Sequence, residues 1–498
     1  MPENTGRMAS HSFEDTADTT LGRAASARFN ASTGESGFLM LDQGLDAFVA
    51  RVALARTAER SIDAQYYLLH NDLTGHLFVK ELMKAAERGV RVRLLVDDMD
   101  LAGRDESAVA LHAMPNVEVH IFNPFGRTTN RMTQFVTRFG SVTRRMHNKL
   151  FIVDGQAVIL GGRNIGDEYF EANPALAFGD LDVMGLGPVA RHASSAFDAY
   201  WNHSLAYPAP TLAGEKGDAA AVEKLKERLE TFIVEQGDES DQYFDAMRNS
   251  TLAEKLRTGK LSLIPGKAEL VVDNPDKLIS DRTQADLRLG QSLAPYFREL
   301  EDSLIIFSPY FVPGREGTDF LTSLAERGVR VRILTNSLAS TDVPVVHVGY
   351  VRYRKELLRA GIELYEMDEQ YEAKRRSWNY FTGSSKASLH AKSFVLDDKR
   401  VFVGSLNLDP RSLIENSEVG VVIESPEIAH NMAEWFEREV NTIAFRVSLE
   451  KDEDGVEQMQ WESQGEEGVV RFDVDPYTCV WQRMGVGIMR LLPIDSQL

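Results

Sequence analysis

Residues 90–96 alternate Val and Leu with Arg and then run apolar, as a strand in a sheet does. Strands are also predicted over 61–68, 117–122 and 181–186. Residues 41–59 carry helical spacing, with Phe48, Val52 and Leu54 on one side and Arg51, Arg56 and Glu59 elsewhere. Residues 74–88 read as a helix that stops at Gly89, a common helix C-terminal signal. Residues 146–153 and 157–160 predict a hairpin turning at Asp154-Gly155, and 190–201 predicts a helix. Residues 211–259 are rich in Ala, Glu and Lys and place Val222, Leu225, Leu229 and Ile233 at helical spacing. The same order resumes near Lys267 and runs through a strand at 419–423 and a helix at 428–440. Strands alternating with helices predict an α/β protein with a mixed sheet and helices on both faces.

The pattern is written twice. Ala86-Glu87-Arg88-Gly89-Val90-Arg91-Val92-Arg93 recurs as Ala325-Glu326-Arg327-Gly328-Val329-Arg330-Val331-Arg332. A strand-like run with aromatics precedes each copy, 62–67 with Tyr66 and Tyr67 and 304–311 with Tyr310. His147-x-Lys149-x4-Asp154-x6-Gly161-Gly162-x-Asn164 returns as His390-x-Lys392-x4-Asp397-x6-Gly404-Ser405-x-Asn407. A repeat of this length is a fused pair of domains and not a solenoid. It implies one two-fold site built from two copies, and a chemistry that wants two histidines. The arginines of the repeat, Arg91, Arg93, Arg330 and Arg332, are expected on solvent faces.

The net charge of −20 argues against a general nucleic-acid binder. Cys479 is the sole cysteine, so an intrachain disulfide and a cysteine metal cluster are excluded. No stretch reaches the roughly 20 apolar residues of a spanning helix, so membrane contact is expected to be peripheral. Two segments suit an anionic bilayer surface. Residues 125–145 carry Arg127, Arg131, Arg138, Arg144 and Arg145, with Met132, Phe135, Val136 and Phe139 at helical spacing. Residues 374–386 mix Lys374, Arg375 and Arg376 with Trp378, Tyr380 and Phe381. An ordinary amphipathic helix and a solvated loop explain these two segments equally well. His347, Asn336 and Ser337 are placed in a polar loop after a strand. The acidic stretch 451–467 is expected as a hairpin or loop, and 481–492 as an apolar helix docked on the body.

A phosphodiester repels nucleophiles and has a poor leaving group. Its catalyst must neutralise charge, supply a nucleophile and protonate the departing oxygen. A neutral imidazole can attack phosphorus, and a second imidazolium can serve as acid and then base. Lys149, Lys392, Asn164 and Asn407 can hold the phosphoryl oxygens. In a strand, residues two apart face one side, so His147/Lys149 and His390/Lys392 each point into one site. Two lysines then replace the metal many phosphoryl-transfer enzymes use, and neither metal nor cofactor is expected. His147 is favoured as nucleophile and His390 as acid and base. Asp154 and Asp397 belong to the motif, although turn formation is a sufficient explanation for both.

Both motifs resemble the signature of the phospholipase D superfamily, from about Gly37 to the C-terminus. Asp63-Ala64-Gln65-Tyr66-Tyr67, Gly162-Arg163-Asn164-Ile165-Gly166-Asp167-Glu168-Tyr169-Phe170 and the ending Leu491-Leu492-Pro493-Ile494 are similar to bacterial cardiolipin synthases of the C type. The resemblance implies two similar α/β/α sandwich domains with pseudo-two-fold symmetry, the active site at their interface and a phosphatidyl-histidine intermediate. It implies an acid after each motif that orients the opposite histidine. Glu418 matches that position, and Asp180 is the choice in the first half, ahead of Asp182. Ser405, Gly162 (where many members have Ser), Tyr66 and Tyr310 are assigned to the substrate. The expected organisation is a flexible lead (1–36), a first domain (37–207), a helical insertion (208–266), a second domain (267–445) and a C-terminal extension with an amphipathic helix (446–498). The expected function is transfer of a phosphatidyl group to a lipid alcohol such as phosphatidylglycerol. A hydrolytic phospholipase D and, further off, a nuclease are the alternatives. The expected partners are phospholipids, the membrane surface at the cytoplasmic face of the inner membrane, and an accessory protein, with no nucleic acid.

Overall fold

In the computed structural model, which describes all residues except 5–6, 30–32, 139, 174–175, 371–385, 466–467 and 490–498, the chain divides into two units. Unit 1 comprises Met1–Ala172, Leu181–Leu289 and Glu415–Val421. Unit 2 comprises Asn173–Asp180, Gly290–Ile414 and Val422–Leu498. Each unit therefore takes one short segment from the other half of the sequence.

Unit 1 contains β1 (Glu35–Leu41), β2 (Ser61–Tyr66), β3 (Arg91–Asp97), β4 (Val117–Phe122), β5 (Leu150–Val153) and β6 (Ala157–Gly161). β7 (Leu176–Gly179) belongs to unit 2, and β8 (Asp182–Leu186), β9 (Ala206–Pro208) and β10 (Ile264–Val272) to unit 1. The sheet runs β10-β1-β8-β6-β5-β2-β3-β4-β9, parallel only between β2, β3 and β4. Unit 2 contains β11 (Ser303–Phe307), β12 (Arg330–Asn336), β13 (Glu363–Met367), β14 (Lys386–Leu389), β15 (Ser393–Leu396) and β16 (Arg400–Gly404). β17 (Val419–Glu424) begins in unit 1 and ends in unit 2, followed by β18 (Ala444–Lys451), β19 (Glu457–Gly465) and β20 (Gly468–Phe472). The unit 2 sheet runs β16-β15-β11-β12-β13-β18-β19-β20. The repeat in the sequence is thus a repeat in space: β6-β5-β2-β3-β4 and β16-β15-β11-β12-β13 have one topology.

Local signals explain the matching helices. Helix Leu73–Glu87 is capped by Asp72, which accepts the Gly75 N–H at 2.9 Å. It and helix Gly314–Glu326 stop at Gly89 (φ 93°) and Gly328 (φ 92°), a backbone region that suits glycine. Helix Gly44–Thr57 is buried on most sides, so Arg51, expected on a polar side, lies inside and pairs with Asp182 at 2.8 Å.

Several expectations need correction. Arg93 is fully buried, held by Asp63 at 2.6 Å and Asp198 at 2.8 Å, and Arg332 is buried against Glu437. A buried guanidinium must be paired, and the sequence pattern hid these partners because they lie on other elements. The expected flexible lead is packed on unit 1. Thr16 and Thr19 are buried, Arg191 donates to Phe13 O, and Arg93 donates to Ser10 O. β10, expected to open the second domain, pairs with β1 and continues unit 1 to Leu289. The expected C-terminal extension begins inside the unit 2 sheet, because β18 pairs with β13. His347 sits buried on helix Pro344–Arg359 and not in a loop.

The basic stretch 125–145 also differs. Among its described residues only Arg131–Thr137 is helical, and four of its five arginines are paired with acids. Arg127 pairs with Asp98 and Asp105, Arg131 with Asp98, Arg144 with Glu415 and Arg145 with Asp97. The second basic-aromatic segment, from Lys374 through Phe381, and the ending Leu491-Leu492-Pro493-Ile494 lie outside the described residues, as does Phe139. The C-terminal helix is described over Val480–Met489.

Candidate active site

His147 and Lys149 do not lie in regular strand. They occupy the extended approach to β5, where the bridge Met146↔Ser417 sets the register. Ser417 comes from the short segment that unit 1 takes from the second half. His147 N–H donates to Ser417 O at 2.9 Å, and Ser417 N–H donates to Arg145 O at 2.9 Å. One residue beyond the bridge, the Glu418 carboxylate lies 2.9 and 3.1 Å from His147 Nδ1. A carboxylate here only accepts, so Nδ1 carries the proton and Nε2 presents its lone pair. Glu418 is fully buried and His147 is slightly exposed.

Unit 2 repeats the device. β7 pairs in parallel with β14, ending at Leu389↔Gly179. His390 N–H donates to Gly179 O at 2.8 Å. One residue beyond, Asp180 Oδ2 lies 2.6 Å from His390 Nδ1. Asp182, the alternative acid, is turned to Arg51 in unit 1. In both units the histidine is thus partnered by an acid from the other half of the sequence.

The residue before each histidine is braced in the same way. Asp97, the last residue of β3, accepts Met146 N–H at 3.0 Å and Arg145 Nη1 at 2.9 Å. Asn336, the last residue of β12, accepts Leu389 N–H at 2.9 Å and donates to Leu389 O at 2.9 Å. Burial pushes the Asp97 carboxyl up to about 6, with Arg145 opposing the shift.

The lysines curl back onto their histidines. Lys149 Nζ donates to His147 O at 2.7 Å and lies 5.5 Å from the Tyr67 ring centre. Lys392 Nζ donates to His390 O at 2.6 Å and lies 3.1 and 3.2 Å from the two ring nitrogens. Burial first, and then the Lys392 charge, lower the His390 pKa; Asp180 opposes them. Phe178 stacks on His390 at 5.1 Å, while Tyr67 meets His147 edge-on at 5.0 Å.

Asn164 is buried; it accepts Leu68 N–H at 3.2 Å and donates to the Tyr169 hydroxyl at 2.9 Å. One of its two amide protons is therefore committed. Asn407 is buried, and its Oδ1 has no partner among the described residues. Ser405 is fully buried. Gly162 N–H donates to Leu181 O at 3.2 Å. A side chain on the neighbouring Gly161 would strike Asp182.

Three assignments change. Asp154 accepts the backbone N–H groups of Glu59, Arg60 and Ser61, at 3.1, 2.7 and 2.9 Å. Asp397 does the same for Glu301, Asp302 and Ser303, at 3.1, 2.9 and 3.0 Å. Both acids hold the start of a neighbouring strand and are structural. Tyr66 is buried, with its hydroxyl taken by Arg51 at 3.1 Å, so it is no substrate contact. Strand alternation turns its neighbour Tyr67 to the histidine instead. Tyr310 is half-buried and donates to Asp342 at 2.7 Å, a carboxylate whose field reaches His390. Sequence reading missed Tyr67, Phe178 and Asp97 as neighbours of the histidines. The aromatic doublet and the Asp that ends the Val-Leu-rich strand were the signals for two of them.

Each half-site can offer a neutral imidazole nitrogen, a lysine charge and an amide. Among the described residues no cluster of acids, histidines and cysteine suits a metal ion. The model of the "Cardiolipin synthase, PLD-like domain" family matches residues 52–201 and 295–440. Cardiolipin synthase C of Escherichia coli (strain K12) is 38% identical over 93% of this chain and 96% of its own length. A cardiolipin synthase of Oceanobacillus iheyensis is 24% identical over 82% of this chain and 69% of its own. The crystal structure of phosphatidylserine synthase from Haemophilus influenzae Rd KW20 aligns over 82% of this chain and 87% of its own. Its TM-score is 0.56 at 14% identity, a likeness of fold. The chain belongs to the cardiolipin synthase family of phospholipase D-like proteins.

Proposed function

We propose that this phospholipid phosphatidyltransferase of the cardiolipin synthase type works through a phosphatidyl-histidine, with phosphatidylglycerol as the lipid alcohol that accepts the group. The observation that carries the mechanism is the carboxylate on Nδ1 of each motif histidine, which leaves Nε2 as the reacting nitrogen. His147 Nε2 attacks phosphorus and forms a P–N bond. The P–O bond to the leaving alcohol breaks, and the His390 imidazolium gives that oxygen its proton. The acceptor hydroxyl then loses its proton to His390 and attacks phosphorus, and the P–N bond breaks. Lys149, Lys392, Asn164 and Asn407 are assigned to the phosphoryl oxygens, and Ser405, Gly162 and Tyr310 to the rest of the substrate.

No helix among the described residues is long and apolar enough to cross a membrane. Contact with the bilayer is assigned to Met132 and Val136, one turn apart and exposed on helix Arg131–Thr137. The cytoplasmic face of the inner membrane is the proposed site of action, an accessory protein is a proposed partner, and no nucleic acid is expected.

Product analysis by mass spectrometry tests the reading. Protein and its His147→Ala variant are incubated with phosphatidylglycerol and phosphatidylethanolamine vesicles, with and without a chelator. Cardiolipin from the wild type alone, in both conditions, is the expected result. Phosphatidic acid alone would make the enzyme a hydrolase, and phosphate trapped on His390 with none on His147 would reverse the two histidines.

A further inference from the structure

Glu418 must hold its carboxylate against His147, yet it sits in a segment that unit 1 retains only over Glu415–Val421. One side of that segment is gripped by the chain around His147. Besides the backbone bonds of Ser417, its hydroxyl donates to Asn148 Oδ1 at 2.9 Å. On the other side, where β17 pairs with β10, the backbone of Glu418 is gripped by Asp273, just past the end of β10. Asp273 Oδ2 accepts Glu418 N–H at 2.8 Å, and Asp273 N–H donates to Glu418 O at 3.0 Å. Both backbone groups of the carboxylate bearer are therefore held by the same aspartate.

Asp273 is itself fully constrained. Its Oδ2 also accepts Lys277 Nζ at 2.9 Å, its Oδ1 accepts Leu289 N–H at 2.7 Å, and its carbonyl accepts the Tyr200 hydroxyl at 2.8 Å. Asp273 and Lys277 are both buried. Burial pushes the Asp273 carboxyl up to about 6 against the pull of Lys277 and the Leu289 N–H. At neutral pH it is ionised and accepts all three donors.

We propose that Asp273, with its charge balanced by Lys277, is a positioning residue for the reaction that sets the place of Glu418 against His147. The inference rests on the reading that His147 and Glu418 act together on the phosphodiester. An asparagine at 273 would offer one acceptor oxygen where two serve three donors, and its amide would face a donor. The Glu418 backbone would shift, and a displacement of about 1 Å near reacting groups can lower turnover about a hundredfold.

The test compares Asp273→Asn, His147→Ala and the exposed Asp276→Ala on the same turn. Readouts are kcat, KM for phosphatidylglycerol vesicles, thermal melting, and the NMR signal of the His147 Nδ1 proton in histidine-labelled protein. Asp273→Asn should lower kcat about tenfold to a hundredfold with KM little changed. The Nδ1 proton signal should move upfield or broaden, while Asp276→Ala matches the wild type. Wild-type kcat and an unmoved signal in Asp273→Asn, with His147→Ala inactive, would overturn the inference. Full activity in His147→Ala would overturn the reading beneath it instead. Should Asp273→Asn melt below the assay temperature, Lys277→Met replaces it, and the same kcat loss and signal shift are required.

Discussion

His147 donates its Nδ1 proton to Glu418 across 271 residues of sequence, at 2.9 Å to the nearer carboxylate oxygen. His390 and Asp180 form the matching pair across 210 residues, at 2.6 Å. In both, the pair stands one residue past a parallel backbone bridge, so the register of that bridge chooses the carboxylate. A one-residue slip would turn the acid to the other face.

Glu418→Gln keeps the shape of the side chain and removes its charge. The imidazole then loses the partner that fixes its tautomer and steadies its protonated form. Turnover should fall about a hundredfold or more, as for other histidine–carboxylate pairs. Steady-state kinetics beside a melting curve checks this, since the melting temperature should move far less than kcat.

Asp154→Ala should behave in the reverse sense. It strands three backbone N–H groups at the start of β2, two of them beside buried positions. Unsatisfied buried donors cost about 1–3 kcal/mol each, so a loss of roughly 2–4 kcal/mol is expected after partial relief by water. Denaturant unfolding measures it. Activity per folded molecule should remain, and a dead but stable variant would return Asp154 to the chemistry.

Tyr67 and its neighbour should separate cleanly. Tyr67→Leu removes the ring beside His147 and Lys149 and should lower kcat/KM about tenfold, the scale of one cation–π contact and one ring packing. Tyr66→Phe removes only the hydroxyl that Arg51 holds, and should cost about 1 kcal/mol of stability with turnover intact. Kinetics and unfolding on the two variants decide between the rings.

His120 gives a pH test of the fold. Burial, then the nearby His112, Arg7 and Arg93, lower its pKa to about 3. The unfolded chain therefore binds this proton more tightly, and stability is lost as pH falls from about 6.5 toward about 3. His120→Gln removes that loss. Measured from about pH 7 to about pH 4, melting of the variant should gain on the wild type as pH drops. Asp97 and Asp273, raised to about 6, act in the other direction but are common to both proteins and cancel in the difference.

The sequence by itself determined the repeat, the helix stops at Gly89 and Gly328, most strands, and the two His-Lys-Asn sets. These are local patterns, and the period of burial along a strand or helix is written in neighbouring residues. Only the tertiary structure decided where each carboxylate goes. Asp180 serves His390 and Asp182 serves Arg51, although two positions separate them, because the chain passes from unit 2 to unit 1 between Asp180 and Leu181. It also decided that Tyr67 and not Tyr66 meets the histidine, that Arg93 is buried, and that β10 completes unit 1. Partners far apart in the chain are chosen by strand register and by burial on neighbouring elements, which no short window of residues contains.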